Sequence, residues 1–305
     1  MTEKEKFFGR FPSPRLLFLR SVCYNIRTMK KFLTDLHTHS RFSFDGETEL
    51  DKMCAAAYQK GAAFYGVSEH LDYDLIERGA YEMINADEYF HAARHLQEDY
   101  AGAMNLLIGV EFGFSDEPSI AEKYCGFYEK YRPDYVINSV HTLKGEDYYN
   151  QTPYFKKSGD RGEKSKAQAY REYFESVRAS LDAPYPYDIV GHIGYCTRYA
   201  PYEDRAATLA EFQSEIDGIL KRIIELEKIL ELNSSNKGGV SPFLPSREIL
   251  ERYFALGGRK VSFGSDAHYV SRVMDKWEEA IALLKEIGFT YLTVPCRGEH
   301  IEVEI

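Results

Sequence analysis

The sequence has few of the features that mark secreted or membrane-spanning proteins. Its five cysteines are odd in number, widely scattered and never form a CxxC pair, at Cys23, Cys54, Cys125, Cys196 and Cys296. This usage indicates reduced, buried thiols rather than a disulfide framework. No uninterrupted apolar run approaches the ~18 residues that a membrane-spanning helix needs. A cytoplasmic protein is therefore expected.

Positive charge is also in short supply. The 305 residues include 48 Asp and Glu against 38 Lys and Arg, which gives a formal net charge of −10 with histidine neutral. Nucleic acids and anionic membranes bind preferentially to basic surfaces, so neither is the expected partner of this acidic protein. No Gly-rich phosphate-binding motif follows a predicted strand, which argues against nucleotide binding through such a loop. The composition leaves the oligomeric state open.

What is present is a repeated alternation of strand and helix. Seven apolar, β-rich segments are separated by stretches with helical periodicity: 32–37, 63–70, 106–111, 134–141, 187–192, 229–233 and 260–268. Helix signatures over 47–61 and 87–102 each end at a glycine. Strands that alternate with helices predict a parallel sheet, and seven units without a long break favour an α/β barrel over an open sheet.

Two segments fall outside this alternation. Residues 1–28 precede a second methionine, Met29, and we expect the domain to span 29–305. Two alternatives stay open for 1–28, a misread upstream start and a real N-terminal extension. The polar stretch 142–166 is too long for an ordinary connection, so a functional loop is expected there.

Metal-ligand residue types stand at the carboxyl ends of the predicted strands. Six of the nine histidines lie there with two carboxylates, and one more aspartate follows on the first loop. The set is His37, His39, Asp45, His70, Glu111, His141, His192, Asp266 and His268. In a barrel all strand ends of one kind meet at one face. Because residues two apart on a strand share a side, each HxH or DxH pair can bind one ion.

The donor types limit the choice of ion. Imidazole and carboxylate together suit zinc, iron or manganese, whereas calcium needs oxygen ligands almost throughout. Nine groups exceed the roughly four to six ligands of a single ion, so two or three divalent ions are predicted. His91, His95 and His300 lie away from the strand ends and are expected to be ordinary core or surface histidines.

The motifs also carry a resemblance to a known family. "DLHTHS", "SEHLD", "GVEFGF", "NSVH", "DIVGHIGYCTRY", "LELNSS" and "FGSDAH" follow one another in this order. From about residue 31 to the C-terminus, the chain resembles the polymerase and histidinol phosphatase (PHP) superfamily of metallo-phosphoesterases. The resemblance is strongest to its histidinol-phosphatase branch.

This resemblance implies a distorted (βα)₇ barrel with a trinuclear metal centre at the carboxyl face of its strands. The residues matched to the three ions are, in order, His37, His39 and Asp266; His141 and His192; and Asp45, His70 and His268, with Glu111 as a bridge between the first two ions. Some members have histidine where this chain has Asp45, and the aspartate is expected to favour harder ions.

The resemblance further implies that the protein hydrolyses L-histidinol phosphate, a small-molecule phosphate ester, in histidine biosynthesis. Glu111, Asp266 and His268 then form the catalytic group: a hydroxide between two ions attacks phosphorus, and Asp266 or a nearby histidine protonates the leaving alcohol. Two alternatives stay open, a PHP phosphoesterase for a nucleotide, sugar phosphate or phosphotyrosine, and a metal-binding domain without catalysis. The complete ligand set argues against the second.

Phosphate also needs directional hydrogen-bond donors, which the planar guanidinium of arginine provides. Arg198, six residues after His192, is the first candidate, and Arg161 in the basic loop is the second, with a solvated loop charge as its alternative. Glu69 points to the other side of its strand and is expected to support a ligand. Asn233 is expected either to bind substrate or to close a turn.

Overall fold

The computed structural model describes residues 32–81, 83–155, 162–236 and 239–305. In this part of the chain the strands are β1 (Leu33–Asp35), β2 (Ala62–Leu71), β3 (Asn105–Gly113), β4 (Tyr135–Ser139), β5 (Thr142–Leu143), β6 (Glu146–Asp147), β7 (Ile189–Val190), β8 (Ile229–Asn233), β9 (Val261–Gly264), β10 (Tyr291–Cys296) and β11 (Glu299–Glu304). The helices are α1 (Leu50–Gln59), α2 (Tyr73–Glu77), α3 (Ala86–Asp99), α4 (Pro118–Tyr131), α5 (Lys166–Ser180), α6 (Cys196–Tyr199), α7 (Leu209–Glu225), α8 (Arg247–Ala255) and α9 (Trp277–Ile287).

Local sequence accounts for where the longer helices begin and end. The Asn85 side chain accepts a hydrogen bond from the Glu88 N–H at the start of α3, and Ser165 does the same for Gln168 at the start of α5. Such caps satisfy backbone donors that the helix leaves free. At the end of α9, Gly288 has a φ of 117°, a conformation that glycine adopts without steric cost. None of the described helices has the length and apolar character needed to cross a bilayer.

Seven strands form one parallel sheet in the order β1-β2-β3-β4-β7-β8-β9. Backbone hydrogen bonds then join the two edges: the Leu36 N–H donates to the Phe263 carbonyl at 3.0 Å, and the His39 N–H donates to the Ala267 carbonyl at 2.8 Å. Connections between neighbouring sheet strands run through helices along most of the barrel. The predicted α/β barrel with seven strands is therefore confirmed.

The interior of the barrel is apolar below its carboxyl face. Tyr135 lies at its centre, is fully buried, and donates a hydrogen bond from its hydroxyl to the Leu36 carbonyl at 2.6 Å. The antiparallel β10–β11 hairpin contributes Val294 and Val303 to this interior cluster. Arg297, between the two hairpin strands, donates to Asp134 just before β4 at 2.7 Å. The hairpin therefore covers the amino ends of the strands and leaves the carboxyl ends open.

All seven predicted strands are present, with ends that differ by a few residues. The strand predicted over 260–268 stops at Gly264 because the chain then turns into the barrel mouth. The predicted loop 142–166 contains the short β5–β6 hairpin. The hairpin β10–β11 was not predicted, since it lies outside the repeated pattern. The proposed boundary at Met29 falls outside the described residues.

Close packing at Tyr135 generates a first prediction. A Cβ atom added to Gly109 would lie 2.4 Å from the Tyr135 ring. Gly109→Ala should therefore destabilise the protein by about 1–3 kcal/mol, the usual cost of overpacking, as measured by urea unfolding. Gly126, within α4, has no atom within 4 Å of an added Cβ, so Gly126→Ala should leave stability unchanged or raise it by about 0.5–1 kcal/mol. Equal losses in both variants would contradict this account of the barrel interior.

Candidate metal centre

The carboxyl ends of the strands bring the nine predicted ligands to one face of the barrel. His37 and His39 follow β1, His70 and Glu111 lie near the ends of β2 and β3, and His141 follows β4. The remaining members come from the loops after β1, β7 and β9: Asp45, His192, Asp266 and His268. Since parallel strands deliver their carboxyl ends to the same side, residues more than 200 positions apart in sequence become neighbours.

The Glu111 carboxylate lies at the centre of this cluster and is fully buried. Its Oε2 atom is 3.2 Å from His37 Nε2 and 3.0 Å from His70 Nδ1. Its Oε1 atom is 2.9 Å from His192 Nε2 and 3.2 Å from His141 Nε2. One carboxylate therefore has four imidazole nitrogens within 3.2 Å, two on each oxygen, and His39 Nε2 lies 3.6 Å from Oε2.

The outer part of the cluster is built around the two aspartates. His39 Nε2 is 3.5 Å from Asp266 Oδ1, and His268 Nε2 is 3.0 Å from Asp45 Oδ2. His70 Nε2 lies 3.8 Å from the same Asp45 oxygen. Four groups of three residues each have ligand atoms within 4.8 Å of one another: His39, His70 and His268; His37, His39 and Asp266; His37, Glu111 and His192; and His70, Glu111 and His141.

Buried carboxylates on the outer side fix the orientation of two of these imidazoles. His37 Nδ1 donates to Glu231 Oε1 at 2.6 Å, and His141 Nδ1 donates to Asp72 Oδ1 at 2.7 Å. An ionised carboxylate can only accept, so the proton sits on Nδ1 and the lone pair of Nε2 points into the cluster. Glu231 also accepts from the His192 N–H at 2.6 Å, and this carboxylate therefore holds parts of two predicted ligands.

A third imidazole is oriented through a serine. Ser43 Oγ donates to Glu69 Oε2 at 2.6 Å, which leaves its oxygen to accept from His39 Nδ1 at 3.2 Å. Glu69 also accepts from the backbone and hydroxyl of Ser40. Burial raises the pKa of Glu69 above its usual value, while these hydrogen bonds oppose that rise. The supporting role expected for Glu69 agrees with this geometry.

Sequence reasoning missed Glu231, Asp72 and Ser43. An acidic residue in the middle of an apolar strand, as in "ILELN", was a signal for the first. Asp72 stands two positions after His70, the spacing that places two side chains on one face. Asn233, two positions beyond Glu231, accepts from the Ser235 N–H at 2.8 Å and so closes a turn.

The charges of the cluster favour cations at its centre. Although burial alone would lower the pKa of His141, the carboxylates of Asp72 and Glu111 raise it to about 10. Burial, together with the neighbouring imidazoles of His70 and His268, lowers the pKa of His39 to about 3. Carboxylates thus draw protons onto some imidazoles while others stay neutral, and metal ions replace protons in such sites.

Several buried atoms that face the centre support the same conclusion. His37 Nε2, His39 Nε2, His70 Nδ1 and Glu111 Oε2 approach one another without hydrogen-bond geometry, and none of them has a hydrogen-bond partner among the described residues. Buried polar atoms without partners are rare because each costs free energy. Here four of them converge, and nitrogen and carboxylate donors in this arrangement are those that divalent transition metals bind. The residues present therefore fit a metal centre.

A cavity of about 720 Å³ opens onto the cluster. Arg198, at the end of the turn that follows His192, lines it, and its Nη2 is 3.4 Å from Asp266 Oδ2. The guanidinium lies 5.0 Å from the Tyr195 ring, which holds it at the mouth. Arg198 Nε is buried without a hydrogen-bond partner among the described residues. The second predicted phosphate ligand, Arg161, falls outside the described residues.

The model of the PHP domain family matches residues 35–235, a span that includes the first seven of the nine predicted ligands. The chain belongs to the PHP domain family. This confirms the resemblance that the motifs carried, and the barrel just described is the PHP domain of this protein.

The relatives of this PHP domain share most of its length. The probable histidinol-phosphatase of Clostridium acetobutylicum is 32% identical over 251 residues, which cover 82% of this chain and 91% of the relative. The histidinol-phosphatase of Lactococcus lactis is 28% identical, over 86% of this chain and 93% of its own. Curated relatives thus carry the activity name that the sequence motifs implied.

A solved structure extends the comparison to ligands. The crystal structure of the Lactococcus lactis histidinol phosphate phosphatase, in complex with zinc, L-histidinol and phosphate, matches this PHP domain with a TM-score of 0.74 and 26% identity. The match covers 88% of this chain and 98% of that one. Zinc in that relative agrees with the donor types found here, since zinc accepts imidazole and carboxylate ligands.

The dual hydrogen bonding of Glu231 generates a second prediction. In Glu231→Gln, one amide cannot accept from both His37 Nδ1 and the His192 N–H, so one ligand loses its orientation. Zinc affinity should fall about 10- to 100-fold, as is usual when such supporting groups are removed. The measurement is competition of the metal-free protein with a chromophoric chelator.

The matched control is Glu215→Gln on α7, which removes a carboxylate that pairs with Arg171 away from the cluster. It should bind zinc like the unaltered protein. Unchanged zinc affinity in Glu231→Gln, with the fold intact by circular dichroism, would show that His37 and His192 need no support from this carboxylate.

Proposed function

We propose that this protein is a histidinol-phosphatase, which hydrolyses L-histidinol phosphate to L-histidinol and inorganic phosphate. The observation that carries the proposal is the convergence of six imidazoles and three carboxylates beside Arg198, the arginine among the described residues that line the mouth of this PHP barrel. The similarity to histidinol-phosphatases over about nine-tenths of their length supports it.

The proposed metal content is two or three divalent ions, zinc, iron or manganese. His37, His39 and Asp266 would hold the first ion, His141 and His192 the second, and Asp45, His70 and His268 the third, with Glu111 shared by the first two. The short distances from both Glu111 oxygens to imidazoles on either side support its bridging role. When bound, such cations neutralise phosphate charge and make a water molecule acidic enough to serve as nucleophile near neutral pH.

Arg198 is assigned to the phosphate group. Its contact with Asp266 is long, at 3.4 Å, so most of its hydrogen-bonding capacity remains for a ligand. A guanidinium presents parallel N–H groups that match two oxygens of a phosphate. The Tyr195 and Tyr199 rings lie 5.0 and 5.8 Å from its Cζ and restrict its motion. The side chain is thus oriented before phosphate arrives.

The leaving group must accept a proton when the P–O bond breaks, because an alkoxide leaves poorly. Asp266 and His268 are assigned to this step, either directly or through each other, since His268 Nδ1 lies 3.7 Å from Asp266 Oδ1. Both line the cavity next to Arg198. The proton added to the leaving oxygen yields L-histidinol. The oxygen atom of the attacking water becomes part of the phosphate.

The direct test is turnover by the purified protein combined with elemental analysis. L-Histidinol phosphate should be the preferred substrate in a panel that includes a nucleotide, a sugar phosphate and phosphotyrosine. The active protein should contain more than one transition-metal ion per chain. Preference for another ester would assign the domain to a different PHP phosphoesterase, and absence of any turnover would favour a non-catalytic metal-binding domain.

The Glu111→Ala variant tests the role of the central carboxylate in the same turnover and elemental-analysis measurements. Loss of the bridging carboxylate should remove nearly all turnover and lower the metal content. Full activity with full metal content in this variant would contradict the ligand assignment.

A further prediction separates phosphate binding from metal binding. A charge-assisted hydrogen bond contributes about 1.5–3 kcal/mol, so Arg198→Ala should lower kcat/KM for L-histidinol phosphate by roughly ten- to a hundredfold. Metal content should not change. Arg198→Lys should recover part of the loss, because a single ammonium cannot make a two-pronged contact.

Arg178→Ala on α5 is the matched control, since Arg178 pairs with Asp182 on the exposed surface. Its kinetics should equal those of the unaltered protein. Loss of metal in Arg198→Ala would mean that the arginine supports the cluster through Asp266 instead of binding phosphate.

A further inference from the structure

The small β5–β6 hairpin places a carboxylate at the rim of the cavity. Asp147 on β6 pairs with Thr142 on β5, the residue directly after His141. The Tyr148 N–H donates to the His141 carbonyl at 3.1 Å, which ties the hairpin to the end of β4. Since paired residues on neighbouring strands lie about 5 Å apart, the hairpin holds Asp147 close to the metal-ligand cluster without making it a member.

Asp147 is fixed in position by two hydrogen bonds. Its Oδ2 accepts from the Tyr81 hydroxyl at 2.7 Å, and its Oδ1 accepts from the Tyr149 N–H at 2.8 Å. The residue is 7% exposed, lines the cavity, and makes no ion pair within the described ranges. A carboxylate accepts about four hydrogen bonds, so Asp147 retains capacity for a ligand with an N–H group.

Aromatic rings flank this carboxylate on both sides. Phe44 stacks on Tyr81 with ring centroids 3.7 Å apart, and it also lies 5.1 Å from the His70 ring. On the other side Tyr149 lies 5.4 Å from Tyr199, the neighbour of Arg198. Phe44 and Tyr149 are 41% and 63% exposed, which leaves apolar ring surface free to contact an organic group.

The two ends of the cavity therefore differ in charge. Arg198 supplies the permanent positive charge among the described lining residues, beside the cluster where phosphate is proposed to bind. Asp147 supplies negative charge at the rim, between aromatic side chains. An ester with phosphate at one end and a cation at the other matches both ends. L-Histidinol phosphate has this form, because its primary amine is protonated at neutral pH.

We propose that Asp147, with the Phe44–Tyr81 stack, binds the ammonium group of the leaving alcohol and selects phosphate esters of amino alcohols. This inference rests on the proposed function and specifies which part of the substrate is recognised at the rim. Asp147 acts on binding and orientation, away from the reacting phosphorus, and the aromatic rings contact the remaining carbon and ring atoms of the substrate.

The test compares Asp147→Asn with the unaltered protein on two esters. For L-histidinol phosphate, kcat/KM should fall about ten- to a hundredfold, the effect of losing one charge-assisted hydrogen bond. For p-nitrophenyl phosphate, whose leaving group has no ammonium group, kcat/KM should stay within about twofold. Equal losses on both esters, or no loss on either, overturn the proposal.

A second assay, inhibition by the product L-histidinol, tests the role of Asp147 even if L-histidinol phosphate is not a substrate. L-Histidinol should inhibit hydrolysis of p-nitrophenyl phosphate, and Asp147→Asn should weaken that inhibition about ten- to a hundredfold. Inhibition by 4-(3-hydroxypropyl)imidazole, which lacks only the amine, should not change. If both inhibitors weaken equally, Asp147 binds the imidazole ring and the ammonium assignment is wrong. Turnover of p-nitrophenyl phosphate without turnover of L-histidinol phosphate overturns the proposed function alone.

Two further variants guard against a purely structural effect. Asp116→Asn changes an exposed carboxylate that lines a separate cavity, and its kinetics on both esters should be unaltered. Tyr81→Phe keeps the ring stack but removes the hydroxyl that orients Asp147. It should lower kcat/KM for L-histidinol phosphate by a smaller factor and spare p-nitrophenyl phosphate. Should Asp147→Asn fail to fold, the absence of a selective effect in Tyr81→Phe overturns the proposal.

Discussion

The burial of negative charge at Glu111 is the constraint around which the mouth of the barrel is organised. A carboxylate at the end of β3 with no exposure to solvent is costly unless positive charge or donors surround it. Imidazoles at the ends of four other strands approach its two oxygens, and the Ser139 hydroxyl donates to Oε1 at 2.5 Å. The interaction of His37, His141 and His70 with this carboxylate, against the effect of burial, lowers the pKa of Glu111 well below its usual value. Metal ions bound in this position would supply further positive charge.

Carboxylates outside the cluster orient its imidazoles so that their free nitrogens face the centre. Glu231 and Asp72 each accept the outward N–H of a cluster imidazole, and space for them comes from missing side chains on neighbouring strands. An added Cβ would lie 2.2 Å from Glu231 Oε1 at Gly264 and 1.8 Å from Asp72 Oδ1 at Gly113. The glycines at these strand ends therefore serve the orientation of ligands, since backbone and carboxylate must approach closely there.

The mouth of the barrel has two parts, the metal-ligand cluster near the strand ends and a rim that can contact the organic part of a substrate. The strands and the residues close to their ends hold most of the charged cluster in place, because the sheet closes on itself. The rim is made by connecting segments such as the loop after β1 and the β5–β6 hairpin. Loops on a rigid scaffold can change without disturbing the strands. The contacts that the rim offers to an organic group can therefore change without disturbing the cluster.

The sequence by itself determined the strand and helix alternation, the family and the identity of the nine cluster residues. These follow from local pattern, since strand periodicity and the ends of apolar segments are written in neighbouring residues. The family resemblance already implied that Glu111 is a bridge. Only the tertiary structure decided that imidazoles from four other strands surround it, that Glu231 joins His37 to His192, and that Asp147 reaches the rim. The first two depend on closure of β1 onto β9 and on contacts between residues 30 to 194 positions apart, whereas Asp147 is placed by the hairpin that follows β4. No local pattern encodes which buried carboxylate meets which imidazole, because that pairing is set by the curvature and register of the closed sheet.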